Sequence, residues 1–147
     1  MYVYRGGRAP RDITHAIIDK SVTEIDGEAF SGNTNLRSVK THDGLERIGP
    51  CAFEGCKSLT DIDLRSVKII GFAAFKESGL TEVDCDKLER VGGMAFQQCE
   101  TLRRISLPRA KIIERWAFYE NDALTEVELP EVRQIHPYAF YYGRSLR

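Results

Sequence analysis

The chain has 147 residues, with 21 Lys+Arg against 22 Asp+Glu, a formal charge of −1 and 42% apolar residues. A chain of that length buries roughly 70% of the surface its unfolded form exposes, so one soluble unit is expected to fold with neither disulfide nor metal. The balanced charge argues against a dedicated nucleic-acid binder, which needs a basic surface, and no window approaches the ~18 unbroken apolar residues of a membrane span.

The first segment, MYVYRGGRAPRD, lacks the apolar stretch of a secretory signal. The expected location is therefore cytoplasmic, with the nucleus also open, or extracellular if a signal has been removed. Tyr2-Val3-Tyr4 is read as an edge strand and Ile13–Ile18 as strand-like, and Val22-Thr23-Glu24-Ile25 restores the repeat register that follows. Residues 1–21 are thus expected to form a degenerate N-terminal cap, the device by which a solenoid hides its open apolar end, ahead of repeats over 22–147 in a single domain.

From there the chain repeats itself. Ala-Phe recurs at Phe30, Phe53, Phe75, Phe96, Phe118 and Phe140, with steps of 23, 22, 21, 22 and 22 residues. Four residues before each Ala stands Ile25, Ile48, Ile70, Val91, Ile113 or Ile135; five or six after each Phe comes Leu36, Leu59, Leu80, Leu102, Leu124 or Leu146. Val39, Ile62, Val83, Ile105 and Val127 follow three residues later, giving the unit L-x-x-[IV]-x-L-x-x-[VLA]-x-x-[IV]-x-x-x-A-F. An insertion near Asp43-Gly44 and a deletion at Lys76–Gly79 account for the odd steps, both in Gly-bearing turns that tolerate length changes. About 22 residues are too few for a helix pair, and the core alternates with the period of two that marks a strand. The fold expected is a β-rich solenoid of six coils, each with a short parallel strand, a second extended stretch, and an Ala-Phe turn whose ring fills the coil.

This pattern resembles the BspA-type leucine-rich repeat: an Ile, then Ala-Phe, often a Cys three residues on, then L-x-x-[IV]-x-[IL]-P. Cys56 and Cys99 match the Cys, Asn33 and Asn121 take its place elsewhere, and Pro108 and Pro130 match the strand-end Pro, whereas Thr41 and Cys85 end their strands without one. The resemblance covers about residues 22–147. It implies a leucine-rich-repeat scaffold for protein–protein contact or adhesion, with no common catalytic residue and no cofactor.

Strand parity assigns the charge. Residues flanking the inward [IV] point out: Ser38 and Lys40, Asp61 and Asp63, Glu82 and Asp84, Arg104 and Ser106, Glu126 and Glu128. Six of the ten are carboxylates, four of them on neighbouring strands, where cross-strand repulsion is expected and a basic partner would be steered in. The second stretch is more basic, with Glu46, Arg47, Lys68, Glu89, Arg90, Lys111 and Arg133. Paired carboxylates raise glycan hydrolysis, which needs two carboxyl groups roughly 5–9.5 Å apart. A flat face gives no pocket to raise a pKa, and no aromatic platform stands beside these positions, so no catalytic residue is assigned.

The other chemistry-bearing residues do not assemble into a site. Cys51 and Cys56 have no matching second pair, and Cys56 and Cys99, two coils or ~10 Å apart, are too distant for a disulfide; the four cysteines are read as reduced, with Cys56 and Cys99 in buried turns. His15, His42 and His136 occupy unrelated repeat positions, His42 in a turn read as solvent-exposed. Trp116 and Phe72 are placed beside Ala-Phe in the slot of Cys51, Met94 and Tyr138, which makes repeat packing their first role. Trp116, Tyr119, Tyr138, Tyr141 and Tyr142 form a second candidate contact patch, since aromatics anchor interfaces. The chain stops as a seventh strand would begin, at Ser145-Leu146-Arg147. The expected function is a non-catalytic scaffold binding a protein partner of basic character through Asp61, Asp63, Glu82, Asp84, Arg104, Glu126 and Glu128. End-to-end self-association is the structural alternative.

Overall fold

Alternation within L-x-x-[IV]-x-L turns one β-branched side chain inward between two outward ones, and successive copies pair as parallel strands. A computed structural model describes residues 1–146; Arg147 lies outside the described residues. In chain order the strands are β1 (Tyr2–Tyr4), β2 (His15–Ile18), β3 (Glu24–Ile25), β4 (Ser38–Lys40), β5 (Arg47–Ile48), β6 (Asp61–Ile62) and β7 (Ile69–Ile70), then β8 (Glu82–Asp84), β9 (Arg90–Val91), β10 (Arg104–Ser106), β11 (Ile112–Ile113), β12 (Glu126–Glu128) and β13 (Gln134–Ile135). They stack in two columns. The second stretches form one six-stranded parallel sheet, β3-β5-β7-β9-β11-β13, while the L-x-x-[IV]-x-L column divides into β1-β2-β4-β6 and β8-β10-β12.

A third ladder runs along the Ala-Phe turns, without strand geometry. The residue before Ala and the second after Phe are left-handed in every coil, from Glu28 (φ 61°) and Gly32 (φ 76°) to Tyr138 (φ 63°) and Tyr142 (φ 58°). That alternation aims backbone N–H groups at the next coil. Phe30, Phe53, Phe75, Phe96 and Phe118 donate to the carbonyls of Ala52, Ala74, Ala95, Ala117 and Ala139 at 2.7–2.8 Å. Glu28, Cys51, Ala73 and Met94 donate on one side of them, and Gly32, Gly55, Glu77, Gln98 and Glu120 on the other. Each Ala is buried, so coils approach closely there, and the Phe rings fill the interior. From Phe30 to Phe140 the rings stack with centroids 5.0–5.4 Å apart and planes within 3–7°.

At the N-terminal end β1 pairs in parallel with β2, forming the expected edge strand. The repeat register reaches back into residues 1–21, since Ala16 stands opposite Val39. Ala9 N–H donates to the Ala29 carbonyl at 2.8 Å, where later coils use a Phe N–H. The missing ring is replaced by Tyr4, tilted 43° over Phe30 at 5.1 Å. Its hydroxyl donates to the Gly7 carbonyl and accepts from Asp26 N–H, and burial pushes the phenol up to about 12.

The Lys76–Gly79 deletion has a structural consequence. It draws Gly79 against the preceding coil, its N–H donating to the Cys56 carbonyl, so close that a Cβ would overlap the Lys57 carbonyl oxygen. Beyond this pinch β8 does not pair with β6, and Ile62 is only half-buried where Val39, Val83 and Ile105 are buried. The cross-strand repulsion expected among Asp61, Asp63, Glu82 and Asp84 is therefore corrected: the two strands are not ladder neighbours.

Candidate functional site

On the strand face, the outward residues flank the inward β-branched side chain as parity dictates. Asp61, Asp63, Glu82, Asp84, Glu126 and Glu128 are exposed, and Arg104 and Ser106 half-buried. Backbone register sets Arg104 between Glu82 and Glu126, and Ser106 between Asp84 and Glu128.

Half of these carboxylates are compensated by a cation. Arg104 donates to both oxygens of Asp84 at 2.8 and 2.9 Å and lies 3.4 Å from Glu82. Arg65 forks onto Asp63 at 3.0 and 2.7 Å, and these hydrogen bonds hold the Asp63 carboxyl below its ordinary range. Ser106 Oγ–H donates to Glu128. Asp61, Glu126 and Glu128 have no cation within 4.0 Å among the described residues. A shallow hollow of about 430 Å³ opens here, with Met1, Ser38, Lys40, Thr41, Asp61 and Asp63 along it. Glycan hydrolysis needs a carboxyl raised into the role of acid, and Asp63 is shifted the opposite way.

The second patch lies on the turn edge. The left-handed residue before Ala and the residue after Phe project outward, so Trp116 stacks on Tyr138 at 6.2 Å and Tyr119 on Tyr141 at 5.9 Å. Tyr142 meets Tyr141 at 4.2 Å and Tyr119 at 5.8 Å. The repeat packing expected for this slot takes place at the surface and not in the core: Trp116 is half-buried and Tyr138 exposed, because left-handed geometry turns the side chain away from the Phe stack. The slot in its coil belongs to Ala73; Phe72 precedes it and is exposed.

The thiols are all unpaired, with Cys56, Cys85 and Cys99 buried and Cys51 half-buried. His42, expected in solvent, is half-buried: its Nε2–H donates to the Asp19 carbonyl while its Nδ1 accepts from Gly44 N–H. Among the described residues no group of three or more His, Cys, Asp or Glu is placed to hold a metal ion, and no helix is long and apolar enough to cross a membrane.

Comparison with known proteins places this geometry. The model of the BspA type leucine rich repeat region matches residues 9–108 and 68–147 in six copies. The chain belongs to the BspA-type leucine-rich-repeat family. Among solved structures, this leucine-rich-repeat chain is similar to a leucine-rich cell surface protein of Faecalibacterium prausnitzii, at 29% identity and a TM-score of 0.74. That match covers 92% of this chain and 38% of the other, so the chain spans under two fifths of that relative's length. A T. pallidum leucine-rich-repeat protein (21% identity, TM-score 0.61, 91% and 78% covered) and the pneumococcal vaccine antigen PcpA (21%, 0.66, 88% and 32% covered) share the fold. No curated protein sequence matches the chain.

Proposed function

We propose that this leucine-rich-repeat chain is a non-catalytic scaffold that binds a protein partner across its strand face. The observation that carries this is the register of β8, β10 and β12, which fixes Glu82, Arg104 and Glu126 in one row and Asp84, Ser106 and Glu128 in the next. A preorganised pattern of charge on a rigid open surface suits recognition of another surface, and offers no enclosed space for a reacting small molecule. Compensation by Arg65 and Arg104 leaves Asp61, Glu126 and Glu128 as the attraction for a basic partner. The test is capture from a lysate of the source cells by the native chain and by an Asp61→Lys, Glu126→Lys variant, with the captured protein cross-linked and its contacts mapped. The reading expects a partner held by the native chain, mapped to β6–β12 and lost from the variant; equal capture by both would overturn it.

End-on stacking is the second reading, favoured by Val127 and Ile135, which are 37% and 51% exposed where the inner-coil equivalents other than Ile62 are buried. Growth in mass with concentration that salt does not reverse would support it. The cytoplasm is the proposed compartment, supported by four unpaired thiols; recovery of the protein with the cell envelope would instead place it with the cell surface relative.

A further inference from the structure

The turn edge carries more aromatic surface than the fold requires. Single exposed apolar residues are ordinary, but Tyr138, Tyr141 and Tyr142 are 52%, 46% and 48% exposed and touch one another. The same backbone slots are filled elsewhere without aromatics. Glu28, Cys51, Ala73 and Met94 hold the slot of Trp116 and Tyr138, Ser31, Glu54, Lys76 and Gln97 that of Tyr119 and Tyr141, and Gly32, Gly55, Glu77, Gln98 and Glu120 that of Tyr142. Trp116, Tyr138 and Tyr142 also occupy left-handed backbone that a bulky residue adopts only at an energetic cost. Packing does not call for these rings, and the backbone resists them.

Charge beside the rings narrows what they receive. A groove of about 570 Å³ is lined by Gln98, Glu100, Glu120, Asp122, Tyr142 and Arg144. It runs through Gln98 and Glu100 into a hollow of about 370 Å³ beside Glu77 and Lys57. Arg144 lies 3.8 Å from Asp122. Glu120 accepts from Gln98 Nε2–H at 2.9 Å, but neither it nor Glu100 has a cation within 4.0 Å among the described residues. Ring faces and carboxylates both attract cations, and a planar guanidinium suits both at once. The molecule already shows such a contact: the Arg115 guanidinium sits 5.7 Å over the Trp116 ring.

We propose that this turn edge is a docking site for an extended, arginine-bearing polypeptide segment. Its guanidinium groups stack on Tyr138, Tyr141 and Tyr142, and its chain follows the groove past Glu120 and Glu100. The site is separate from the strand face and stands whether or not that face binds a partner. An acidic segment would meet the groove's carboxylates with like charge, and a purely apolar one would leave them desolvated without partners.

The experiment is a fluorescence-anisotropy titration of the chain with a labelled peptide of alternating Arg and Gly, beside its Lys-Gly counterpart. Tyr142→Ala, Tyr142→Phe, the pair Glu100→Gln with Glu120→Gln, and the Asp61→Lys, Glu126→Lys strand-face variant are compared, each checked for an unchanged melting temperature. Expected are binding of the Arg peptide about tenfold tighter than the Lys peptide, a loss of about tenfold with Tyr142→Ala and its recovery with Tyr142→Phe. The double Gln variant should weaken binding and flatten its salt dependence. Failure of the native chain to bind, or equal affinity for both peptides with no effect of Tyr142→Ala, would overturn the proposal. Loss of binding only in the strand-face variant would overturn it too, while leaving the strand-face reading intact.

Discussion

Cys56 and Cys99 lie in a buried column with Asn33, Ser78 and Asn121, one residue per coil behind the Ala-Phe turn. Each thiol donates back to the preceding coil, Cys56 to the Phe30 carbonyl and Cys99 to that of Phe75, both at 3.1 Å. Asn121 serves the column differently, its Oδ1 accepting from Cys99 N–H. Burial pushes the Cys56 thiol up to about 12 and the Cys99 thiol to about 11, and raises Cys85 as well. Folding thus favours the neutral thiol. Its contribution is complete below the ordinary thiol value near 9 and is lost as pH rises through 11–12. The melting temperature should therefore fall between pH 9 and 12. Mass spectrometry after iodoacetamide at pH 8 should find Cys56, Cys85 and Cys99 unmodified until the chain is unfolded. The burial of Cys56 and Cys99 was legible from their place in the repeat. The outward aim of Trp116 and Tyr138 was not, because a slot filled by Glu, Cys, Ala, Met, Trp and Tyr has no shared chemistry to reveal a left-handed backbone.

Among the elements, the one irregularity with reach is the deletion before Leu80. Two strands per coil and their parity could be read from the alternation of apolar positions, and the structure bears both out. Pairing between coils could not, since it depends on how the missing residue is absorbed: Gly79 takes up the strain by touching the backbone of the coil before it, and β8 parts from β6. The amides of Glu82 and Asp84 correspond by register to those of Arg104 and Ser106, which face β8. In β8 these groups face β6 and find no strand partner. Hydrogen exchange should therefore be faster at Glu82 and Asp84 than at Arg104 and Ser106, by about tenfold or more. Equal protection would show that β6 and β8 pair in solution. The break also changes the site: the four clustered carboxylates seen in the sequence divide between two sheets, each with its own arginine.

For the whole molecule, stability is a sum over stacked neighbours, and the Phe column is its spine. Phe96 is fully buried between Phe75 and Phe118, and its replacement by Ala should cost about 3–5 kcal/mol. Phe140 has a stacking neighbour on one side, Phe118, and is half-buried. Phe140→Ala should cost about half as much or less, since it forfeits less buried area. Urea denaturation of the two variants measures the difference, and equal costs would argue against nearest-neighbour stability.

The turn ladder points one way: from Glu28 to Glu120, each coil gives its N–H groups to the coil on its C-terminal side. At the Phe140 coil the amides of Tyr138, Phe140 and Tyr142 have no acceptor among the described residues. The turn ladder is therefore polar, with its donors directed toward the C-terminal side. Whatever continues this ladder, a further coil or a second copy, must present carbonyls, and a second copy could do so through it only in the same orientation. Contacts made through this ladder would be head-to-tail, and so would propagate rather than close as a two-fold pair.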